Sequence, residues 1–173
     1  MKPRIPVIGV TGMNARADNP GPGLAVARCL RESGRSLRIV GLGYDALDPG
    51  LYSDYCDAGY LLPYPGAGEG AVLDRLSAIH AEEGMDIVIP CLDAELPLFV
   101  ALAPRLAMLG IRALLPGEAQ LEARDKSRLP ELAEAAGVLT PETRRISDTR
   151  FFSDAEAQGF DYPFFVKGPY YDA

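Results

Sequence analysis

Five short apolar runs, "IPVIGV" (5–10), "LRIVGL" (37–42), "GYLLP" (59–63), "DIVIP" (86–90) and "IRALLP" (111–116), are separated by longer stretches with helical spacing. A strand covered on both faces reads as a nearly unbroken apolar run, and parallel strands need a crossover of a dozen or more residues between them. The alternation therefore predicts an α/β chain with a small doubly wound, mainly parallel sheet, Rossmann-like in layout. Helices are expected over 22–33, with Pro22 in the first turn and Val26, Cys29 and Leu30 on the inner face, and over 69–84, with Val72, Leu73, Leu76 and Ile79 inward. The stripe Leu98, Phe99, Leu102, Leu106, Leu109 predicts a third helix over 94–110, kinked or split in two by Pro104.

Beyond residue 116 the texture changes. "GEAQLEARDKSRLPELAEAAGV" (117–138) reads as two short helices, with Gly137 as the stop of the second. "TPETRRI" (140–146) is expected as a strand, "SDAEAQGF" (153–160) as a short helix capped by Ser153, and "YPFFVKGPYYDA" (162–173) as a strand carrying Lys167. Residues 1–116 are thus expected as one domain and 117–173 as the beginning of a second, with the end of the sequence cutting that second domain short.

The formal charge of −7 argues against nucleic acid or an anionic membrane surface as partner, since either needs a basic face. No apolar run approaches the roughly 20 residues of a membrane span. The three cysteines, Cys29, Cys56 and Cys91, are widely spaced with no CxxC pair, which suggests reduced thiols and a cytoplasmic location. A homodimer is compatible with the composition. His80 is the only histidine and borders an apolar stripe, so it is read as structural, and neither a histidine triad nor a metal site is expected.

In an open parallel sheet, ligands gather outside the carboxyl ends of the strands. The loop "TGMNARADNPGPG" (11–23) follows the first strand and leads into a helix, which places Asn14, Gly21 and Gly23 at that edge; backbone N–H groups at Gly21 and Gly23 are candidates for holding an anionic group. The alternative is a plain connection shaped by its glycines and prolines. Neither GxGxxG spacing nor a GxxxxGK[ST] loop is present. After the strand at 86–90, "PCLDAELPLF" brings Asp93 and Glu95 to a helix start, where carboxylates either stabilise the helix dipole or receive a cationic substrate group. Lys126 opens a helix in "ARDKSRL", and Lys167 ends the apolar run "FFV"; the two are candidates to flank one triphosphate as point charges, the alternative for each being a solvated surface charge.

At these residues the sequence resembles the front end of an ATP-grasp ligase of the group related to the carbamoyl-phosphate synthase large chain and biotin carboxylase. The segments that carry the likeness are "ARDKSRLPELAEAAGVLTPET" and "YPFFVKGPYYDA", supported by "IPCLDAEL" and "YSDYCDAGYLLP". Gly168 and Pro169 follow Lys167 where the family's usual sequence is Lys-Pro. The resemblance implies a pre-ATP-grasp domain over 1–116 that supplies part of the acceptor-substrate crevice, followed by the start of the ATP-grasp part. It implies that Lys126 and Lys167 contact ATP phosphates and that Asn14, Gly21, Gly23, Asp93 and Glu95 line the substrate side. It further implies a small carboxylate substrate activated as an acyl phosphate, an amine or thiol acceptor, and ATP with Mg²⁺ in the complete protein, whose metal ligands are not in this chain. The 173 residues by themselves are then expected to be inactive.

Two other readings stand beside it. "GVTGMN" after the first strand and Asp45 after the second suit an NAD(P)-dependent Rossmann enzyme, although the glycine spacing is wide and Tyr-x-x-x-Lys is absent. A noncatalytic module that binds a nucleotide or small molecule is the third.

Overall fold

The computed structural model describes residues 4–15, 21–123 and 125–167, which fall into two compact units that divide after Gly117. The first unit contains β1 (Val7–Val10), α1 (Pro22–Glu32), β2 (Arg38–Gly43), β3 (Ala58–Leu61), α2 (Glu69–Glu83), β4 (Ile87–Ile89), α3 (Leu96–Met108) and β5 (Arg112–Ala113). All the ladders are parallel, and the order across the sheet is β3-β2-β1-β4-β5. The chain therefore steps outward from β1 in one direction, returns, and steps outward in the other, leaving a topological switch point between β1 and β4. Register pairs Ile8 with Ile39 on one side of β1 and with Ile87 on the other.

Each face of the sheet has its own core. Val72, Leu76 and Ile79 of α2 and Phe99, Leu102 and Leu106 of α3 pack with Val7, Val40, Leu42 and Val88. On the opposite face Ile8, Val10, Met13 and Ile39 pack with Ala27 of α1. The stripe expected for α2 is buried, and of the one expected for α3 Phe99, Leu102 and Leu106 are buried while Leu98 and Leu109 are half-buried against the same core. In α1 the inner residues are Gly23 and Ala27, with Val26 and Leu30 half-buried, while Cys29 faces solvent. Helix α3 runs through Pro104 as one element. Pro104 is exposed, so the bond its missing N–H would have made is lost on the water side, where solvent replaces it, and two separate helices do not result. The last strand is shorter than the run "IRALLP" suggested: Ile111 is buried, but Leu114 lies outside the ladder and is 81% exposed.

Gly84 ends α2 in the left-handed conformation, φ +68°, with its N–H donating to His80 O at 2.7 Å. An added methyl would meet only the Arg4 guanidinium, at 3.4 Å. Gly84→Ala is therefore expected to cost about 1 kcal/mol, from the backbone conformation alone, read as a lower urea midpoint with an unchanged slope. His80 donates a ring N–H to the Met85 carbonyl at 2.8 Å and so fastens this helix end to the turn before β4.

The second unit holds α4 (Glu118–Ala123), a tight turn at Lys126–Arg128, α5 (Leu129–Ala135), and short helical turns at Thr149–Ser153 and Glu156–Gln158. It carries a half-buried ring cluster in which Phe164 touches Phe151, Phe152, Phe160 and the exposed Tyr162. Two expectations fail here. Residues 140–146 and 162–167 form no ladder, because a strand gains stability only from a partner, and none pairs with them among the described residues. In place of one helix over 153–160 there are the two separate turns, and Asp148 caps the first of them through a bond from Arg150 N–H. Residues 168–173 lie outside the described residues.

Candidate functional site

The carboxyl ends of β1, β2 and β4 meet at the switch point, and one side chain ties them together. Glu95 is fully buried. Its Oε1 accepts the N–H groups of Cys91 at 2.8 Å and Leu92 at 2.9 Å, and the Thr11 hydroxyl donates to the same oxygen. Its Oε2 accepts the Tyr44 hydroxyl. Thr11 Oγ1 in turn accepts the Cys91 N–H at 2.8 Å. Four donors from three strand ends thus converge on one carboxylate. Its position follows from local chemistry: the tight turn Asp93–Glu95 folds back on β4, so that Glu95 closes onto the amides that β4 leaves unpaired.

Removal from water pushes the Glu95 carboxyl up from its ordinary range, against the four donors, which favour the ionised form. The same burial, with the Glu95 charge nearby, raises the Tyr44 phenol and pushes the Cys91 thiol up to about 12. Cys91 is a neutral thiol at physiological pH, and nothing here activates it as a nucleophile.

The described parts of the loop after β1, residues 11–15 and 21–23, are tightly packed. Gly12 takes φ +72°, and the Gly23 N–H donates to Gly12 O at 3.0 Å. A methyl on Gly21 would stand 1.8 Å from Asn14 O, and one on Gly23 would stand 1.7 Å from Thr11 O. From the other side the Gly50 N–H donates to Met13 O at 3.0 Å, and Met13 is buried. The glycines thus let the start of α1 lie directly against the loop backbone. The expectation that the Gly23 amide faces an anionic ligand is corrected: its N–H is taken up within the loop. Asn14 Oδ1 is a buried acceptor without a partner at the same edge. Residues 16–20 lie outside the described residues.

Asn14, Gly21, Gly23, Asp93 and Glu95 therefore gather at one sheet edge in the first unit. Lys126 and Lys167 belong to the second. Lys126 is half-buried in the turn that Asp125 caps by accepting the Ser127 N–H at 2.8 Å, and Lys167 is exposed in a segment without regular structure. Thr11 and Tyr44 escaped the sequence reading. "GVTGMN" and "LGYDAL" offered no signal beyond a hydroxyl at the end of an apolar run. Among the described residues no group of His, Cys, Asp and Glu is placed to hold a metal ion, and no helix is long and apolar enough to cross a membrane.

No protein-family model matches the sequence, and no curated protein matches it. Solved structures do. The biotin carboxylase domain of a single-chain bacterial carboxylase is 24% identical with a TM-score of 0.52, over 89% of this chain and 34% of that one. The biotin carboxylase domain dimer of the Hydrogenobacter thermophilus 2-oxoglutarate carboxylase, in complex with MgADP, ADP and bicarbonate, is 19% identical with a TM-score of 0.52, over 91% and 33%. The L-amino acid ligase from Bacillus licheniformis is 17% identical with a TM-score of 0.52, over 85% and 36%. The chain spans about a third of the length of each of these structures. A five-stranded parallel α/β unit followed by a second small unit is thus a fold that this chain shares with part of biotin carboxylase domains and of an L-amino acid ligase.

Proposed function

We propose that the chain is the front portion of an ATP-dependent ligase that activates a small carboxylate as an acyl phosphate and passes it to an amine or thiol. The observation that carries this reading is the likeness to both carboxylase and ligase structures across both units, over 85% or more of this chain and only about a third of theirs. In it, residues 1–116 form the pre-ATP-grasp domain and line the substrate side through Asn14, Gly21, Asp93 and the strand ends that Glu95 holds. Residues from 117 onward begin the ATP-grasp domain. Gly23 serves the same side by fixing the loop.

Lys126 and Lys167 are assigned to the phosphates of ATP. The chemistry of the donors fits that role: an ammonium is a compact cation that neutralises phosphate charge without fixed geometry. Phosphoryl transfer depends mainly on positioning and charge neutralisation, so two lysines perform part of the task. Mg²⁺ would supply the remaining neutralisation when bound, and in this reading its ligands and the activity belong to the longer protein, since the chain spans only about a third of the structures it resembles.

The test is ADP release by the complete gene product, with bicarbonate and with L-amino acids offered as the carboxylate. ADP should form only when the carboxylate is present. Lys126→Ala and Lys167→Ala should each raise KM for ATP about tenfold, the usual size for loss of one charge-assisted contact. Asp93→Ala should weaken use of the carboxylate while sparing ATP. The reverse pattern, or saturable binding of NADPH in place of ATP, would overturn the assignment.

A further inference from the structure

We propose that Arg75 guards the lateral edge of the sheet: its guanidinium occupies the backbone carbonyl through which β3 would otherwise pair with β3 of a second copy of the chain. This concerns association alone and is independent of the proposed ligase function.

β3 is an outermost strand, paired with β2 on one side only. Along a strand the N–H and C=O of one residue point to the same side, and those of the next residue to the other. The Leu62 N–H donates to Gly43 O at 2.8 Å, so the even-numbered residues face β2, and the backbone groups of Gly59 and Leu61 face away from it. These are also the two exposed residues of the strand. Among the described residues only Leu61 O, of these outward groups, has a partner: it accepts the Arg75 Nε–H at 2.9 Å.

The placing of the outward groups makes this edge self-complementary. A two-fold axis through Tyr60 would set Gly59 of one copy opposite Leu61 of the other, and antiparallel residues so placed exchange N–H to O bonds in both directions. Half of the bonds that such a pairing would form end on Leu61 O. Arg75 holds that oxygen in each copy and lays a charge across the edge, a means by which exposed strands are kept from pairing. The opposite edge has less need of a guard, since β5 is two residues long.

The guanidinium is held where it is by more than this one bond. Arg75 lies on α2 yet is half-buried, because it folds over the Tyr60 ring with its guanidinium carbon 5.8 Å from the centroid. That ring is fixed in turn: the Tyr60 hydroxyl donates to Glu83 Oε1 at 2.7 Å, and Glu83 Oε2 accepts the Arg38 Nε–H at 2.6 Å. No ion pair among the described residues draws Arg75 elsewhere, so its charge stays at the strand.

Arg75→Met keeps the aliphatic stem and removes the donor and the charge; Arg75→Ala removes the stem as well. In sedimentation velocity across a concentration series, both should self-associate with a constant about tenfold above that of the natural protein. Association alone does not show which surface is used, so amide hydrogen exchange supplies the second reading. The Gly59 and Leu61 N–H groups should exchange freely in the natural protein and become protected in the associated variants. Leu61→Lys, added to Arg75→Met, returns a charge to the edge and should reverse both the association and the protection. Variants that associate no more than the natural protein, or that associate while Gly59 and Leu61 still exchange freely, would overturn the proposal. So would association that Leu61→Lys leaves unchanged. Neither ATP nor turnover enters these measurements, so their outcome and that of the ADP assay are read separately.

Discussion

Gly23→Ala is expected to destabilise the first unit by about 3 kcal/mol, a net figure from opposing effects. In its favour, alanine is up to about 1 kcal/mol better than glycine within a helix, less at the second residue of α1. Against it, the added methyl would stand 1.7 Å from Thr11 O and 2.8 Å from Gly12 O, both backbone atoms that no rotamer change can move. Relief requires α1 to lift from the loop, which breaks the bond from Gly23 N–H to Gly12 O and loosens the contact of Ala27 with β1. Overpacking of this kind costs about 1–3 kcal/mol and sometimes more, and a lost buried hydrogen bond adds about 1. The collision wins over the propensity gain. Thermal unfolding should fall by roughly 10 °C. Gly66→Ala, where the new methyl meets nothing within 4 Å, should change stability by no more than about 0.5 kcal/mol. Equal effects at the two positions would show that α1 does not rest on the loop as described.

The contrast between those two glycines also marks what a sequence can reveal. Both sit in glycine-rich loops at the same sheet edge, and only coordinates separate the one that packs against a carbonyl from the one that faces open space. The central strands β1, β2 and β4 were legible because burial on two faces imposes an apolar run, the half-exposed edge strands β3 and β5 because their short apolar runs fall between helical stretches, and α2 and α3 because each must turn one stripe to the sheet. Where strand identity depends on a partner, the sequence misled. "TPETRRI" and "FFVK" have strand composition, but β propensity describes fitness for a ladder and does not create one. The site was legible in outline only. Asp93 and Glu95 were placed correctly at the edge, yet they look alike in the sequence: one is half-buried in the turn, the other wholly enclosed by Thr11, Tyr44 and two amides. Nothing in the order of residues announces that a tyrosine 51 positions away completes the shell of Glu95.

Glu95→Ala is expected to have the largest effect of any single substitution at the site, about 4 kcal/mol. Truncation leaves the Thr11 and Tyr44 hydroxyls and the Leu92 amide without their acceptor, while the Cys91 amide keeps only Thr11 Oγ1. Each orphaned buried donor costs about 1–3 kcal/mol where water cannot reach it, and half-buried Tyr44 recovers part of its share from solvent. Glu95→Gln should behave differently. The amide oxygen keeps the three donors now on Oε1, and the amide nitrogen donates to the Tyr44 oxygen, which changes from donor to acceptor. This is the same arrangement that a protonated Glu95 adopts. Burial raises the carboxyl above the ordinary glutamate value of 4.5, so the folded state holds its proton more tightly than the unfolded chain. That contribution to stability is complete below 4.5 and is lost as pH rises through the folded value. Urea midpoints of the natural and Glu95→Gln proteins should therefore coincide near about pH 4, and the glutamine variant should be the more stable at pH 7. Taking the difference cancels the opposite slope of Asp57, held low by the Ile39 amide and Arg31, and of Glu83, held low by Arg38 and the Tyr60 hydroxyl. A glutamine variant less stable than the natural protein at pH 7 would mean that the four donors outweigh desolvation, and that the carboxylate at the meeting point of the strands is held ionised.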